Sequence, residues 1–313
     1  MRYLFYPGCS QEGTAREYRD STLAVLQALG AEVQELEDWT CCGASVAPVM
    51  SNLLGLVLPA RNLALAERHA DGRDLLTVCS ACYTNFRRTA ATLATDRRLH
   101  NKVNQALEVE NLTYRGTVTA RHLLDILAND FGPDAIRARV RKPLEGLTVA
   151  PYYGCQTVRP YSPYDNPQRP TSMLPILEAL GVKVHRHPCE ASCCGTSLLM
   201  TQSEVGLTMV GAVLAACEGA DCIVTVCPMC HMNLDAYQDK VSRRLGRKVR
   251  IPVVHLPQLI GLALGLPKES LGLWRHITPV SFSSANQRNA IATHADSHPF
   301  ANDSSGRDSP PVP

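Results

Sequence analysis

The sequence predicts an α/β protein made by tandem duplication: two domains, each a small parallel sheet flanked by helices, and then a disordered tail. Three observations carry this reading. Short apolar runs alternate with stretches of helical length, and strands joined by such crossovers pair in parallel. A cysteine frame occurs twice, as Cys9, Cys41-Cys42, Cys79-x-x-Cys82 and as Cys155, Cys193-Cys194, Cys227-x-x-Cys230. The flanks repeat as well: Leu26–Val33 answers Leu177–Val184, Thr77–Asn85 answers Thr225–Asn233, and Val118–Leu123 answers Pro252–Leu256. The domains are therefore set at 1–145 and 146–280, the tail at 281–313, and two equivalent sites are expected across a pseudo-twofold axis.

Taken in order, Arg2–Tyr6 is an apolar and aromatic run that delivers Cys9 into a Pro7-Gly8 turn. Residues 15–29 place Leu23, Leu26 and Leu29 at helical spacing and stop at Gly30. A strand follows at Ala31–Leu36, then the first cysteine pair, then a Leu- and Ala-rich helix over 53–70. Leu75–Val78 reads as a buried strand with Cys79 at its end. A helix is expected from Asn85, a polar helical stretch over 96–116, a strand at Val118–Ala120, and a helix in LLDILANDF after His122. The second half repeats this plan, with a longer loop at Gln156–Pro170 whose Pro, Tyr and Arg content predicts an exposed segment beside the site. Beyond 280 the composition turns to Ser, Asn, His, Asp and Pro, which predicts disorder.

A chain of 313 residues, 45% hydrophobic, can bury two cores. Residues 1–10 lack the charged-then-apolar pattern of an export signal, so thirteen cysteines predict a reducing, cytoplasmic setting. No run approaches eighteen apolar residues, so no membrane span is expected. A net charge of +2 argues against a general nucleic-acid surface. There is no G-x-G-x-x-G fingerprint, so any flavin or nicotinamide belongs to a partner.

Adjacent Cα atoms lie about 3.8 Å apart, closer than a relaxed disulfide tolerates, so Cys41 and Cys42 are poorly placed to oxidise to each other. Three uses remain for the frame: disulfides, structural zinc, or an iron–sulfur centre. Zinc needs four ligands and leaves a fifth thiol per half unexplained. Five also exceed what one cubane needs, and a cluster of opened geometry would use them.

The two motifs, with Tyr6-Pro7-Gly8-Cys9-Ser10, Glu37-Asp38-Trp39-Thr40-Cys41-Cys42-Gly43-Ala44-Ser45, Pro170-Thr171-Ser172-Met173 and Cys227-Pro228-Met229-Cys230-His231-Met232-Asn233-Leu234-Asp235, resemble the doubled cysteine-rich CCG domain of the B-type subunit of heterodisulfide reductase. The resemblance covers about residues 1–270. It implies one noncubane [4Fe-4S] cluster on Cys9, Cys41, Cys42, Cys79 and Cys82, a second on Cys155, Cys193, Cys194, Cys227 and Cys230, and a disulfide or thiol substrate, free or carrier-bound, handled between them. It further implies a small iron–sulfur C-type subunit and a flavoprotein A-type subunit as partners. The alternatives are an electron-relay CCG subunit of a lactate- or glycerol-phosphate-oxidising system, or a module with zinc in one or both halves.

Other residues get narrower readings. Cys41, Cys42, Cys193 and Cys194 are the catalytic candidates, with His231 as a proton donor to a leaving thiolate. Gly43 and Gly195 are expected to permit close backbone approach and to set N–H donors toward sulfur. Cys217 and Cys222 are expected to be buried apolar thiols and Cys189 to be structural. His122 and His255 recur after matching strands and suggest hydrogen bonds to buried backbone; His185 and His187 are unassigned. Arg159 and Arg169 sit on the long loop, where solvation is the ordinary role and contact with an anionic substrate the sharper one.

Overall fold

Strand β1, Arg2–Tyr6, is buried from Tyr3 onward and is the line from which the first sheet grows. The computed structural model describes residues 1–69, 72–161 and 163–282. β2 (Glu32–Glu35) and β3 (Leu75–Thr77) flank β1, and β4 (Ala120–His122) lies beyond β3, all parallel, in the order β2-β1-β3-β4. The second sheet repeats this order as β6-β5-β7-β8, with β5 Thr148–Tyr152, β6 Lys183–Val184, β7 Cys222–Thr225 and β8 Val253–His255. The inner strands are covered on both faces, which is why they read as continuous apolar runs. β2, at the edge, alternates between exposed and half-buried residues instead.

Helices Arg16–Ala28, Leu54–His69 and the pair Ser80–Thr95 and Arg97–Leu107 make the first half's crossovers. Leu174–Ala179, Ser203–Ala216 and the pair Pro228–Ala236 and Gln238–Leu245 make those of the second. Among the described residues one apolar core gathers around Leu4, Tyr6, Leu75 and Phe86 and another around Ala150, Tyr152, Ile223 and Val253.

Several boundaries differ from expectation for identifiable reasons. The helix expected from Asn85 begins at Ser80, with Cys79 at its N-cap, so Cys82 sits in its first turn. The strand expected at Val118–Ala120 lies two residues on, because β4 pairs with β3 as Leu75↔Ala120 and Thr77↔His122. The LLDILANDF segment divides into a single turn, Leu123–Asp125, and a π-helical stretch, Ile126–Phe131. Short helices at Cys9–Glu12 and Cys155–Val158 occupy what reads as loop.

Met1–Ser281 forms one unit in which the halves exchange elements. Helix Arg16–Ala28 packs against Leu256–Leu264 of the second half, and Leu174–Ala179 against Gly132–Arg137 of the first. This is the reciprocity a pseudo-twofold relation requires. Buried hydrogen bonds cross the junction: the Tyr18 hydroxyl donates to the Val226 carbonyl at 2.9 Å, and the Ser80 and Thr157 hydroxyls are 2.6 Å apart. The loop after Cys155 is held rather than free, since Tyr83 Oη donates to the Tyr161 carbonyl and Asp165 accepts from the Thr171 and Ser172 amides. The disordered tail expected at 281–313 falls, beyond Phe282, outside the described residues. Among the described residues no helix is long and apolar enough to cross a membrane.

Candidate metal centres

In each sheet the chain turns from one side of the central strand to the other, and ligands collect at the carboxyl ends of strands beside such a switch point. Cys9 follows β1, the Cys41-Cys42 pair follows β2 and Cys79 follows β3; Cys155, Cys193-Cys194 and Cys227 follow β5, β6 and β7. The topology thus brings each frame to one sheet edge. Cys9 and Cys41 are exposed while Cys42, Cys79 and Cys82 are buried; Cys155 and Cys193 are half-buried over buried Cys194, Cys227 and Cys230. Each set has a buried floor and a more accessible rim.

The sulfurs are close but unbonded. All thirteen cysteines are free, with Cys9 and Cys41 Sγ 3.8 Å apart and Cys42 and Cys82 Sγ 3.2 Å apart, against about 2.05 Å for a disulfide. Two thiolates held by one tetrahedral metal at about 2.3 Å sit about 3.8 Å apart, which is the Cys9–Cys41 separation. Proton affinities divide along the contacts. Hydrogen bonds from Cys42 and Cys9 hold Cys41 far below the usual thiol range, and the same contacts push Cys9 and Cys42 up. Cys79 is lowered by Cys82, which is itself pushed well up. In the second set Cys193 is likewise lowered by its bond from Cys155, Cys155 is raised and Cys230 is pushed well up, but Cys194 falls to about 7, chiefly through Cys230, where its counterpart Cys42 is raised. Five crowded thiols cannot all ionise unaided. A polynuclear cation removes the conflict by taking every sulfur as thiolate, so the donor set fits an iron–sulfur group.

The surrounding residues come in matched pairs. Gly43 and Gly195, at φ near +73° and +74°, donate their N–H groups to Cys41 and Cys193 Sγ at 3.5 and 3.4 Å. Their missing side chains, however, make room for Leu58 and Ala47 and for the Gly206 backbone rather than for sulfur. The glycines that face sulfur are Gly8 and Gly154: a Cβ there would lie 3.3 Å from Cys82 Sγ and 2.9 Å from Cys230 Sγ. Tyr6 and Tyr152, both fully buried, lie among the sulfurs and donate to the Thr40 and Ser192 carbonyls at 2.8 and 2.7 Å, just before each pair. Asn85 and Asn233 hold the carbonyls of Cys42 and Cys194 at 2.7 and 3.1 Å. These residues escaped the sequence reading although the repeats Tyr-x-Gly-Cys and Cys-x-x-Cys-x-x-Asn display them. Arg61 and Asn62, which clamp Asp38 and Thr40 ahead of Cys41, have no such local signal.

Tyr18 is wholly buried and its hydroxyl is raised by burial and by the nearby thiols of Cys227 and Cys79, one from each set. His231 is engaged elsewhere: its Nε2 lies 3.0 Å from the Val253 carbonyl and 2.8 Å from His276 Nδ1, and its ring stacks on His255. Burial, with His255 and His276 beside it, holds its pKa well below the ordinary value. His122 Nδ1 accepts from the Leu124 amide and the His255 side chain caps the first turn of Leu256–Leu264, the backbone role expected of both, and His255 also stacks on Tyr18. His187 faces the Pro151 carbonyl and His185 the Ala216 carbonyl. Cys217 and Cys222 are buried, as expected, and burial pushes Cys217 up to about 12. Cys189 lies against the Ala212 carbonyl. Arg159 donates to the Pro167 and Ala191 carbonyls near Cys193, and Arg169 is exposed.

Fold and site together define a protein of duplicated cysteine-rich domains. The chain belongs to the cysteine-rich domain (CCG) family, which matches residues 3–87 and 149–235. It is 38% identical over 275 residues to the 8-methylmenaquinol:fumarate reductase membrane anchor subunit of Wolinella succinogenes, covering 87% of this chain and 95% of that protein. It is 32% identical over 273 residues to the B-type subunit of the ferredoxin:CoB-CoM heterodisulfide reductase of Methanosarcina mazei, covering 85% of this chain and 90% of that one, so the resemblance in the motifs holds over most of the chain. The fold also matches a solved structure of a hypothetical protein from Helicobacter pylori, at 19% identity and a TM-score of 0.71, over 90% of this chain and 53% of that one.

Proposed function

We propose that each five-cysteine set holds a noncubane [4Fe-4S] cluster and that the protein is the B-type subunit of a heterodisulfide-reductase-like complex, cleaving or forming a disulfide between the two sets. The observation that carries this is the doubled convergence of five free thiols whose proton affinities conflict until a polynuclear cation takes them all. When bound, such clusters supply electrons one at a time, and two electrons with two protons convert one disulfide into two thiols. The chain's own part is to bind and orient. The buried cysteines Cys42, Cys79 and Cys82, and their counterparts Cys194, Cys227 and Cys230, form the floor of each site. The more accessible rims at Cys9–Cys41 and Cys155–Cys193 leave an approach for a substrate sulfur. The amides of Gly43 and Gly195 offset negative charge on Cys41 and Cys193. Electrons would come from a small iron–sulfur subunit fed by a flavoprotein, in a reducing compartment. The contacts of His231 do not support a proton-donating role for it.

A second reading is favoured by the 38% identity to a fumarate reductase subunit: the two centres only relay electrons within another oxidoreductase. Adding a thiol to the oxidised, anaerobically purified protein separates the two. Disulfide chemistry predicts a new paramagnetic signal that shifts with the thiol used and is lost in Cys194→Ala; relay predicts a spectrum indifferent to thiol.

A further inference from the structure

One buried constellation is not used by the cysteine centres. Glu17, on the first-half helix Arg16–Ala28, meets His231 and His255 of the second half, His231 in turn lies with Asp235 and His276, and all five are buried. The rings of His231 and His255 stack with centroids 4.2 Å apart, and His231 and His276 are 4.7 Å apart. One donor atom each from Glu17, His231 and His255 falls within 4.8 Å of the others; the same is true of His231, Asp235 and His276.

Two features ask for a cation there. His255 is 0% exposed and its side chain caps the N-terminus of helix Leu256–Leu264, yet its Nε2 has no hydrogen-bond partner. An unsatisfied buried polar group is rare in native proteins and calls for an explanation. The nearest group to His255 Nε2 is Glu17 Oε1, at 3.5 Å, beyond a good hydrogen bond. Zinc ligands at about 2.0–2.1 Å in tetrahedral geometry lie about 3.4 Å from one another, which matches that gap. His276 hydrogen-bonds His231, and Asp235 accepts from the Ile277 and Thr278 amides at 2.7 and 2.8 Å, fixing the backbone that follows His276.

The duplication supplies an internal control. In the first half Tyr83 stands where His231 stands, and its hydroxyl is bound to the Tyr161 carbonyl; His122, the counterpart of His255, is satisfied by the Leu124 amide and Ser80. The histidine whose Nε2 lacks a partner occurs in the copy that also has Glu17 and His231 beside it.

We propose that Glu17, His231 and His255 form a mononuclear site for a zinc-class divalent cation, separate from the cysteine centres and bridging the two halves. Imidazole and carboxylate donors suit such an ion. The test is zinc analysis and zinc K-edge absorption on the full chain with its iron intact, as purified and after exposure to Zn²⁺, together with His255→Gln and Glu17→Gln. We expect about one zinc per chain in a nitrogen and oxygen shell, with most of it lost from both variants and iron unchanged. No zinc uptake, a shell of sulfur alone, or full zinc retention in both variants would overturn the proposal; the absorption spectrum of the unaltered protein stands even if a variant folds poorly.

Discussion

At Gly154 the absence of a Cβ decides whether sulfur fits. A methyl group there would stand 2.9 Å from Cys230 Sγ on a backbone at φ +71°, whereas one at Gly219, φ +89°, would meet nothing within 4 Å. Gly219→Ala should therefore cost only the left-handed backbone strain, about 1–2 kcal/mol. Gly154→Ala should cost more in thermal unfolding and lower iron retention as well; equal effects would remove the special place given to Gly154. Asn233→Ala strands the Cys194 carbonyl and should destabilise by about 1–3 kcal/mol. A residue-scale pH effect belongs to His122, which burial holds at about 4 against about 6.5 when unfolded. The unfolded chain then binds the extra proton, so this contribution is intact above about pH 6.5 and falls away toward pH 4, by about 3 kcal/mol. His122→Asn should flatten the wild-type loss of stability between about pH 7 and 4.5 in denaturant titrations; an unchanged slope would refute the assignment.

At the scale of elements, the strands and the cysteine order were legible because a buried parallel strand and a duplicated motif are both local patterns. Boundaries set by pairing were not. Val118-Thr119 reads as β, but the register with β3 selects Ala120–His122. Ser80-Ala81 reads as loop between two cysteines, yet Cys79 caps a helix that begins at once and carries Cys82 and Asn85 on its first turns. The clamp on the first cysteine pair was invisible for another reason: Arg61 lies 23 residues from Asp38, whose φ of 55° it stabilises through bonds of 2.6 and 2.7 Å. Arg61→Met leaves that turn unsupported. We expect it to release iron from the first centre faster than from the second under chelator, read as a biphasic loss where the wild type is closer to uniform.

For the molecule as a whole, duplication and exchange are the organising facts. The repeat was legible from Leu26–Val33 against Leu177–Val184; the packing of the first half's opening helix on the second half's closing one was not, since nothing local distinguishes it from packing at home. Tyr18 lies at this junction, its hydroxyl donating to the Val226 carbonyl. Tyr18→Phe keeps the ring and its stacking on His255 and should cost about 0.5–1.5 kcal/mol in denaturant unfolding. Everything proposed for the cysteines rests on both five-thiolate sets holding iron–sulfur clusters. Anaerobic iron and sulfide analysis of the full chain, beside Cys42→Ala and Cys194→Ala, decides that point. Two four-iron centres predict about eight irons per chain, falling to about four in either variant. Iron near zero, with zinc filling the cysteine sets, would rule the clusters out.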